Sequence, residues 1–333
     1  MSGIMFDLAS FEALTQAQPW ARFAAQERGL FGAAVAGAGL ETARRASIGS
    51  SLMLELLEAL RAWPGTAIAS HKSPEQAFHK LAFAAELGLR RGDHGVDDIA
   101  ESVMSRVSEE GPFTLPSKVS AAHGGSGEET RGWALCDAPV ILRALVRMGY
   151  GDDPRVARAI DFLVPLAREN GYPCAVSSTF GAWRGPGKKS DPCPYATLVM
   201  LELLLELPGR REGAEARAAA ECLLRLRERS REEHPYIFYM GDDFRKLKAP
   251  LIWYDLVHVL ETLSKAPWIR GDARLESMLD VLESKAGPGG LFTPESAYQA
   301  WKAYDFGQKK LPSVYLSAVA LGILKRSGRL VED

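Results

Sequence analysis

The chain has 333 residues and a formal net charge of -2, with 47% hydrophobic and 25% charged residues. This composition is that of an ordinary globular protein with ample apolar material for a core. The near-neutral charge excludes the basic excess typical of nucleic-acid-binding proteins, so no nucleic-acid partner is expected.

The first 70 residues contain two helical stretches, at 11–27 and 48–63, that fit the later pattern less well. We interpret 1–70 as an irregular helical N-terminal segment that caps a repeat array. From 75 to 327 a unit of about 60 residues recurs. Each unit consists of a helix, a Gly-Asp turn, a second helix and a Gly-aromatic loop.

The periodicity of apolar residues predicts where the helices of these pairs begin. The first helices begin near Glu75, Ala134, Cys193, Pro250 and Pro312. The second helices begin near Val96, Pro154, Ala214 and Ala273. No segment shows sustained alternation of apolar and polar residues, so strands should be few.

The two helices of a pair differ in character. The first helices are apolar on more than one side, as at 198–201, whereas the second helices have one charged face. This difference favours an inner and an outer ring of helices that closes on itself. We therefore predict an all-α fold, a single α/α toroid over residues 1–333.

Several segments resemble small stand-alone bacterial members of the terpenoid cyclase and protein prenyltransferase superfamily. They are the Gly-Asp-Asp-Pro-Arg-Val turn at 151–156, the Gly-aromatic repeat ends, and the Leu-Ile-Trp-Tyr-Asp stretch at 251–255. The resemblance covers residues 75–327 and implies an α/α toroid. It also implies a central cavity that binds an isoprenoid, or another apolar small molecule with an anionic diphosphate head. If the chain is an enzyme, the resemblance favours a transferase or cyclase-like reaction.

In such a ring the N-termini of the inner helices gather at one mouth, so residues placed there should converge. In protein prenyltransferases an Asp-x-Cys pair and a later His bind zinc. The resemblance to them implies zinc at Asp191, Cys193 and Asp255, with Asp255 at the His position. Cys193 would act as a zinc-bound thiolate and Asp255 as third ligand or general base. Alternative ligands are Cys136, Asp137, Cys174 and His258.

A metal-free interpretation remains open, because cysteine often simply packs in a core.

Basic residues precede the inner helices and are predicted to form a positive rim for the anionic head: Arg184, Lys188, Lys189, Arg245 and Lys248. Cations near a helix N-terminus oppose the helix dipole, so helix stability does not explain them. The alternative is that they are solvated loop charges.

Four aromatic residues are predicted to line the apolar pocket: Trp133, Tyr195, Trp253 and Tyr254. The alternative is that they pack one hairpin on the next.

Two other functions stay open. One is a non-catalytic toroid that binds a peptide or protein partner. The other is a metal-free carbohydrate-processing α/α barrel that uses Asp137 and Asp255 as facing carboxylates. A cyclase that starts by protonating its substrate is not expected, because Asp242-Asp243 lacks the first Asp of the Asp-x-Asp-Asp motif.

The location is predicted to be cytoplasmic. The most apolar stretch, 198–207, is interrupted by Glu202 and Glu206 and is too short to span a bilayer. The N-terminus lacks a signal-peptide pattern. Four cysteines in a chain of this length do not form a disulfide framework, so reduced thiols are expected.

Overall fold

A computed structural model describes residues 4–16, 18–31, 37–183, 187–230, 232 and 238–332, and the chain is mostly helical over them. The helices are, in chain order, α1 (Leu8–Thr15), α2 (Pro19–Glu27), α3 (Ala38–Ile48), α4 (Ser51–Arg61), α5 (Ala77–Glu86), α6 (Val96–Met104), α7 (Ala138–Leu145), α8 (Pro154–Leu163), α9 (Pro194–Glu206), α10 (Ala214–Glu228), α11 (Asp242–Arg245), α12 (Leu256–Leu263), α13 (Ala273–Glu283) and α14 (Val314–Arg326). None of the helices in this part of the chain has the length and apolar character needed to cross a lipid bilayer.

Strands are few in the described residues, as predicted. They are β1 (Ile4–Phe6), β2 (Leu115–Lys118), β3 (Glu129–Gly132) and β4 (Leu330–Glu332). β1 pairs in parallel with β4, and β2 pairs antiparallel with β3.

The predicted starts of the second helices are confirmed, because α6, α8, α10 and α13 begin at the expected residues. Two of these starts share one capping arrangement. The carboxylate of Asp153 accepts a hydrogen bond from the backbone amide of Arg155, and Asp272 accepts one from Arg274. The same oxygen also accepts the Nε–H of that arginine, at 3.0 Å in both turns. The repeated sequence is therefore a repeated N-cap.

The first helices α7 and α12 begin later than predicted, at Ala138 and Leu256. Before α7, Ala134 forms an isolated antiparallel bridge with Val176, and residues 135–137 form a turn. α12 begins after Asp255, because the Asp255 carboxylate caps it by accepting the backbone N–H of His258. α9 begins at Pro194, a residue suited to the first helical position.

Contacts divide the chain into two units, and Leu56–Tyr239 form the second. In this unit α7 contacts both α5 and α9, while α8 packs on α7 and α10 packs on α9. α9 is buried along most of its length, whereas α8 buries only Val156, Ala159, Ile160 and Leu163. In the second unit α9 is therefore buried on nearly all sides, whereas α8 buries one apolar stripe.

The first unit combines Met1–Glu55 with Met240–Asp333. Here α14 contacts both α12 and α2, while α13 packs on α12 and α3 packs on α2. The N-terminal pair α2 and α3 therefore packs as a helical hairpin on the last repeat. This hairpin differs from the irregular segment predicted for 1–70. The predicted 11–27 helical stretch is divided near Pro19, which opens α2 at the first helical position.

Candidate functional site

Three of the four cysteines lie together in the second unit, and long-range backbone hydrogen bonds put them there. Leu135 N–H donates to the carbonyl oxygen of Ala175 at 3.0 Å, which sets the segment before α7 beside the segment after Gly171. Cys193 N–H donates to the carbonyl oxygen of Tyr172 at 2.7 Å, which sets the start of α9 beside the same segment. We call Cys136, Cys174 and Cys193 the thiol cluster.

The Cys193 thiol lies between the other two and forms hydrogen bonds with both Cys136 and Cys174. Hydrogen bonding with the Cys136 thiol, together with burial, raises the pKa of Cys193 well above its usual range. Hydrogen bonding with the Cys193 thiol, together with burial, raises the pKa of Cys174 in the same direction. A bare thiolate is the reactive form of cysteine, so these two residues are not activated nucleophiles on their own.

A histidine and an aspartate adjoin the thiol cluster. His71 Nε2 lies 2.9 Å from Oδ2 of Asp137, and Asp137 directly follows Cys136 in sequence. The other oxygen, Oδ1, accepts the backbone N–H of Ala134 at 3.1 Å. The side chain of Asp137 is 1% exposed and that of His71 is 26% exposed.

The remaining cysteine, Cys222, lies apart from the thiol cluster on α10 and is fully buried. Burial raises its pKa to about 12. A Cβ placed on Gly171 would lie 2.6 Å from its sulfur, so the two are tightly packed. Cys222 is a core residue.

The predicted metal ligands belong to both units. Asp191 and Cys193 lie in the second unit, and the Asp191 carboxylate accepts the backbone N–H of Lys188 at 3.0 Å. Asp255 and His258 lie in the first unit, where Nδ1 of His258 is 2.9 Å from the carbonyl oxygen of Trp253. Over the described residues, no three or more His, Cys, Asp or Glu side chains stand as a ready-made metal site.

Asp255 has its own polar surroundings in the first unit. Its Oδ2 atom and the hydroxyl of Tyr298 are buried and accept or donate no hydrogen bond within the described residues. Burial raises the pKa of Asp255 to about 6, and it raises the pKa of Tyr298 well above its usual value. Nζ of Lys248 lies 4.8 Å from the centre of the Tyr298 ring. Asp255 is thus a buried carboxylate with one unused oxygen.

The predicted rim residues are distributed over both units. Lys188 and Lys189 are exposed in the second unit, and Arg245 is exposed in the first. Arg184 lies outside the described residues. A rim shared by these cations stays a prediction.

Most of the predicted aromatic residues pack against neighbouring side chains of the protein. Trp133 donates from Nε1 to Glu110 at 2.5 Å and packs edge-on against Phe162. Tyr195 is buried, and the ring of Tyr254 lies 5.4 Å from that of Phe244. Trp253 is only half-buried. These contacts favour packing over a ligand pocket for Trp133, Tyr195 and Tyr254.

Two residues near these sites, His71 and Tyr298, were not predicted from the sequence. His71 lies in the loop that leads into α5, six residues before that helix begins at Ala77, so it is further from a helix start than Cys136 and Cys193 are. Tyr298 immediately precedes a short 3-10 helix at Gln299–Trp301, which the periodicity of apolar residues did not indicate.

No protein-family model matches the chain, and no curated protein matches it. Among solved structures, it is similar to the crystal structure of a protein from Actinoplanes. The two are 15% identical in sequence, with 93% of this chain and 90% of that chain covered and a TM-score of 0.45.

Proposed function

We propose that this protein is an α/α toroid that binds one zinc ion at the thiol cluster. We further propose that it binds an apolar small molecule with an anionic head, such as an isoprenoid diphosphate, and uses a zinc-bound thiolate toward it. The observation that carries this proposal is the meeting of Cys136, Cys174 and Cys193 from three separate segments.

The donor set suits zinc. Thiolates together with imidazole select zinc over harder cations such as magnesium and calcium. Neighbouring thiols keep each other protonated because two thiolates repel, and a divalent cation removes that penalty as the protons leave. Cys136 and Cys174 are only half-buried, so the cluster is open to an ion from solvent. Zinc would then supply a thiolate that persists at neutral pH.

The helix order within each unit supports the toroid. α5, α7 and α9 adjoin one another in the second unit, and α12, α14 and α2 do so in the first. We propose that these six helices are the inner ring, with the outer helices around them. The exposed Lys188 and Lys189 precede α9, where a helix N-terminus and positive side chains together favour an anion.

The alternative carbohydrate-processing barrel needs a free carboxylate at Asp137. Both Asp137 oxygens are engaged, one by His71 and one by the Ala134 amide. This contact leaves the residue poorly placed to serve as an acid or a base toward a sugar.

Elemental analysis of protein purified without a metal-chelating tag tests the proposal. We expect about one zinc per chain, lost when Cys136, Cys174 or Cys193 is replaced by serine and kept in the control Cys222→Ala. Wild-type protein without zinc would contradict the proposal and favour a toroid that binds a peptide or protein. Equal zinc in all three serine variants would place the metal elsewhere.

A further inference from the structure

We infer that the thiol cluster is also a site of reversible oxidation, at which a peroxide converts the Cys193 thiol and one of its two neighbours into a disulfide bond. This inference goes beyond the proposed function, because it requires contact between thiols and no metal ion. All four cysteines of the chain are free thiols in the structure. The cluster is therefore assembled in the reduced protein, before any oxidant reacts with it.

The main chain holds the three cysteines where their thiols touch. The backbone N–H of Cys193 donates to the carbonyl oxygen of Tyr172, two residues before Cys174. The Cys193 thiol then forms hydrogen bonds with the thiols of both Cys136 and Cys174. Sulfur atoms in hydrogen-bond contact are adjacent, so we expect rotation of the side chains to be enough to form a disulfide bond.

The contacts also indicate which disulfides form. Both thiol hydrogen bonds involve Cys193, so this residue is the common member of either disulfide. The chain turns at residues 135–137, so Cys136 departs from the antiparallel pairing that joins Ala134 to Val176. Because one sulfur forms one disulfide bond, oxidation takes two thiols of the cluster and leaves the third free.

The burial of the three cysteines indicates the order of the chemical steps. Cys136 and Cys174 are half-buried, whereas Cys193 is 8% exposed. Hydrogen peroxide therefore meets an outer thiol first and oxidises it to a sulfenic acid, with release of one water. The Cys193 sulfur then attacks the oxidised sulfur, and the sulfenic hydroxyl leaves with the Cys193 proton as a second water. Two thiols and one peroxide thus give one disulfide and two waters.

Zinc and oxidation compete for the same thiols. Zinc binds cysteine as the thiolate, and a disulfide no longer provides one. Oxidation of a zinc-loaded cluster should therefore release the ion, whereas in metal-free protein it only removes two thiols. Because the pKa values of Cys174 and Cys193 are raised, little thiolate is present in metal-free protein at neutral pH, and we expect a slow reaction.

The test treats the full chain with hydrogen peroxide, with and without the chelator EDTA. Thiols are then counted in the denatured protein with a chromogenic thiol reagent, and the bonded pair is identified by mass spectrometry of peptides alkylated without reduction. We expect the EDTA-treated wild type to fall from four free thiols to two, with Cys193 in every disulfide. Dithiothreitol should restore all four thiols, because the disulfide is the reversible product of oxidation.

The variants change the cluster one thiol at a time. Cys136→Ser and Cys174→Ser should each keep one disulfide, between Cys193 and the remaining neighbour. Cys193→Ser should form no disulfide within the chain. The control Cys222→Ala removes a buried thiol outside the cluster and should form the same disulfides as wild type. Circular dichroism of each variant establishes that a missing disulfide does not result from lost folding.

The outcomes separate this inference from the proposed function. EDTA-treated wild type that keeps four free thiols, or that joins Cys136 to Cys174, would overturn this inference, whether or not the untreated protein holds zinc. A disulfide that contains Cys193, formed in protein that never held zinc, would support this inference while the proposed function fails. Zinc released as that disulfide forms would support both proposals.

Discussion

The backbone amide of Cys193 donates a 2.7 Å hydrogen bond to the carbonyl oxygen of Tyr172. This bond joins the residue that precedes α9 to the segment that carries Cys174. A second bond, from Leu135 to Ala175, joins that segment to the one that carries Cys136. The thiol cluster is therefore positioned by main-chain contacts between segments far apart in sequence.

The first prediction concerns the contribution of the two repeated N-caps to the free energy of unfolding. Asp153→Ala and Asp272→Ala each remove a carboxylate that accepts a backbone N–H at the start of a helix. We expect each to lower the free energy of unfolding by about 1 kcal/mol, measured by urea denaturation. Asp152→Ala, at an exposed neighbour, should change it by less than about 0.5 kcal/mol. Equal effects at 152 and 153 would contradict the capping role.

The second prediction concerns the contribution of the buried carboxylate of Glu261 to the free energy of unfolding. Its side chain is 2% exposed and pairs with Arg28 at 3.2 Å, with Lys265 at 3.2 Å, and with Arg326. Glu261→Ala leaves a buried arginine without its partner, so we expect a loss of about 3–5 kcal/mol in urea unfolding.

The matched control for Glu261 is Asp243→Ala, which removes an exposed partner of Lys246 and should cost at most about 1 kcal/mol. A loss at Glu261 as small as that of the control would show that the buried cluster contributes little.

We expect the free energy of unfolding to depend on pH through the buried carboxylate of Asp255. Burial raises its pKa from 3.8 to about 6, so the folded protein binds a proton there more tightly than the unfolded chain does. The contribution of Asp255 to the free energy of unfolding is therefore largest below pH 3.8. It decreases as the pH rises through about 6, by roughly 3 kcal/mol in total.

Asp255→Asn keeps a side-chain oxygen to cap α12 but removes the titration. The difference in unfolding free energy between the variant and wild type should therefore grow in favour of the variant between pH 4 and pH 6. Unfolding free energies that stay parallel over this range would contradict the assignment.

Much of the helical pattern could be predicted from sequence, because its signals are local. Pro154 and Asp272 mark helix starts by their own chemistry, and α8 and α13 begin there. α7 begins late because of a non-local contact, the pairing of Leu135 with Ala175. α12 begins late because Asp255 caps it, a local signal that the periodicity of apolar residues does not show. The α2–α3 hairpin was predicted only as part of an irregular helical cap, because its packing on α14 depends on the opposite end of the chain.

The site was predicted only in part, for the same reason. Placement before an inner helix brought out Cys136, Asp137 and Cys193, and the Gly-Tyr-Pro break brought out Cys174 as an alternative. The order of contacts, with Cys193 in the middle, comes from tertiary hydrogen bonds that leave no local trace. His71 lies six residues before α5 begins, and its bond to Asp137 spans 66 residues.

The proposed anionic ligand gives a binding prediction. Lys188→Glu with Lys189→Glu should weaken binding of a prenyl diphosphate about tenfold or more, measured by calorimetry, because two cations beside the α9 N-terminus become anions. The corresponding prenyl alcohol should lose no affinity. Arg211→Glu with Arg217→Glu, an equal charge change on exposed residues of the same unit, is the control. Equal losses in both pairs would indicate a general charge effect.

The most direct test of the account is zinc K-edge X-ray absorption on wild-type protein as purified. We expect a zinc edge with three sulfur neighbours at about 2.3 Å. The sulfur shell should shrink in Cys174→Ser and stay unchanged in Cys222→Ala. Absence of zinc, or a shell of oxygen and nitrogen alone, would contradict the thiol cluster as a metal site.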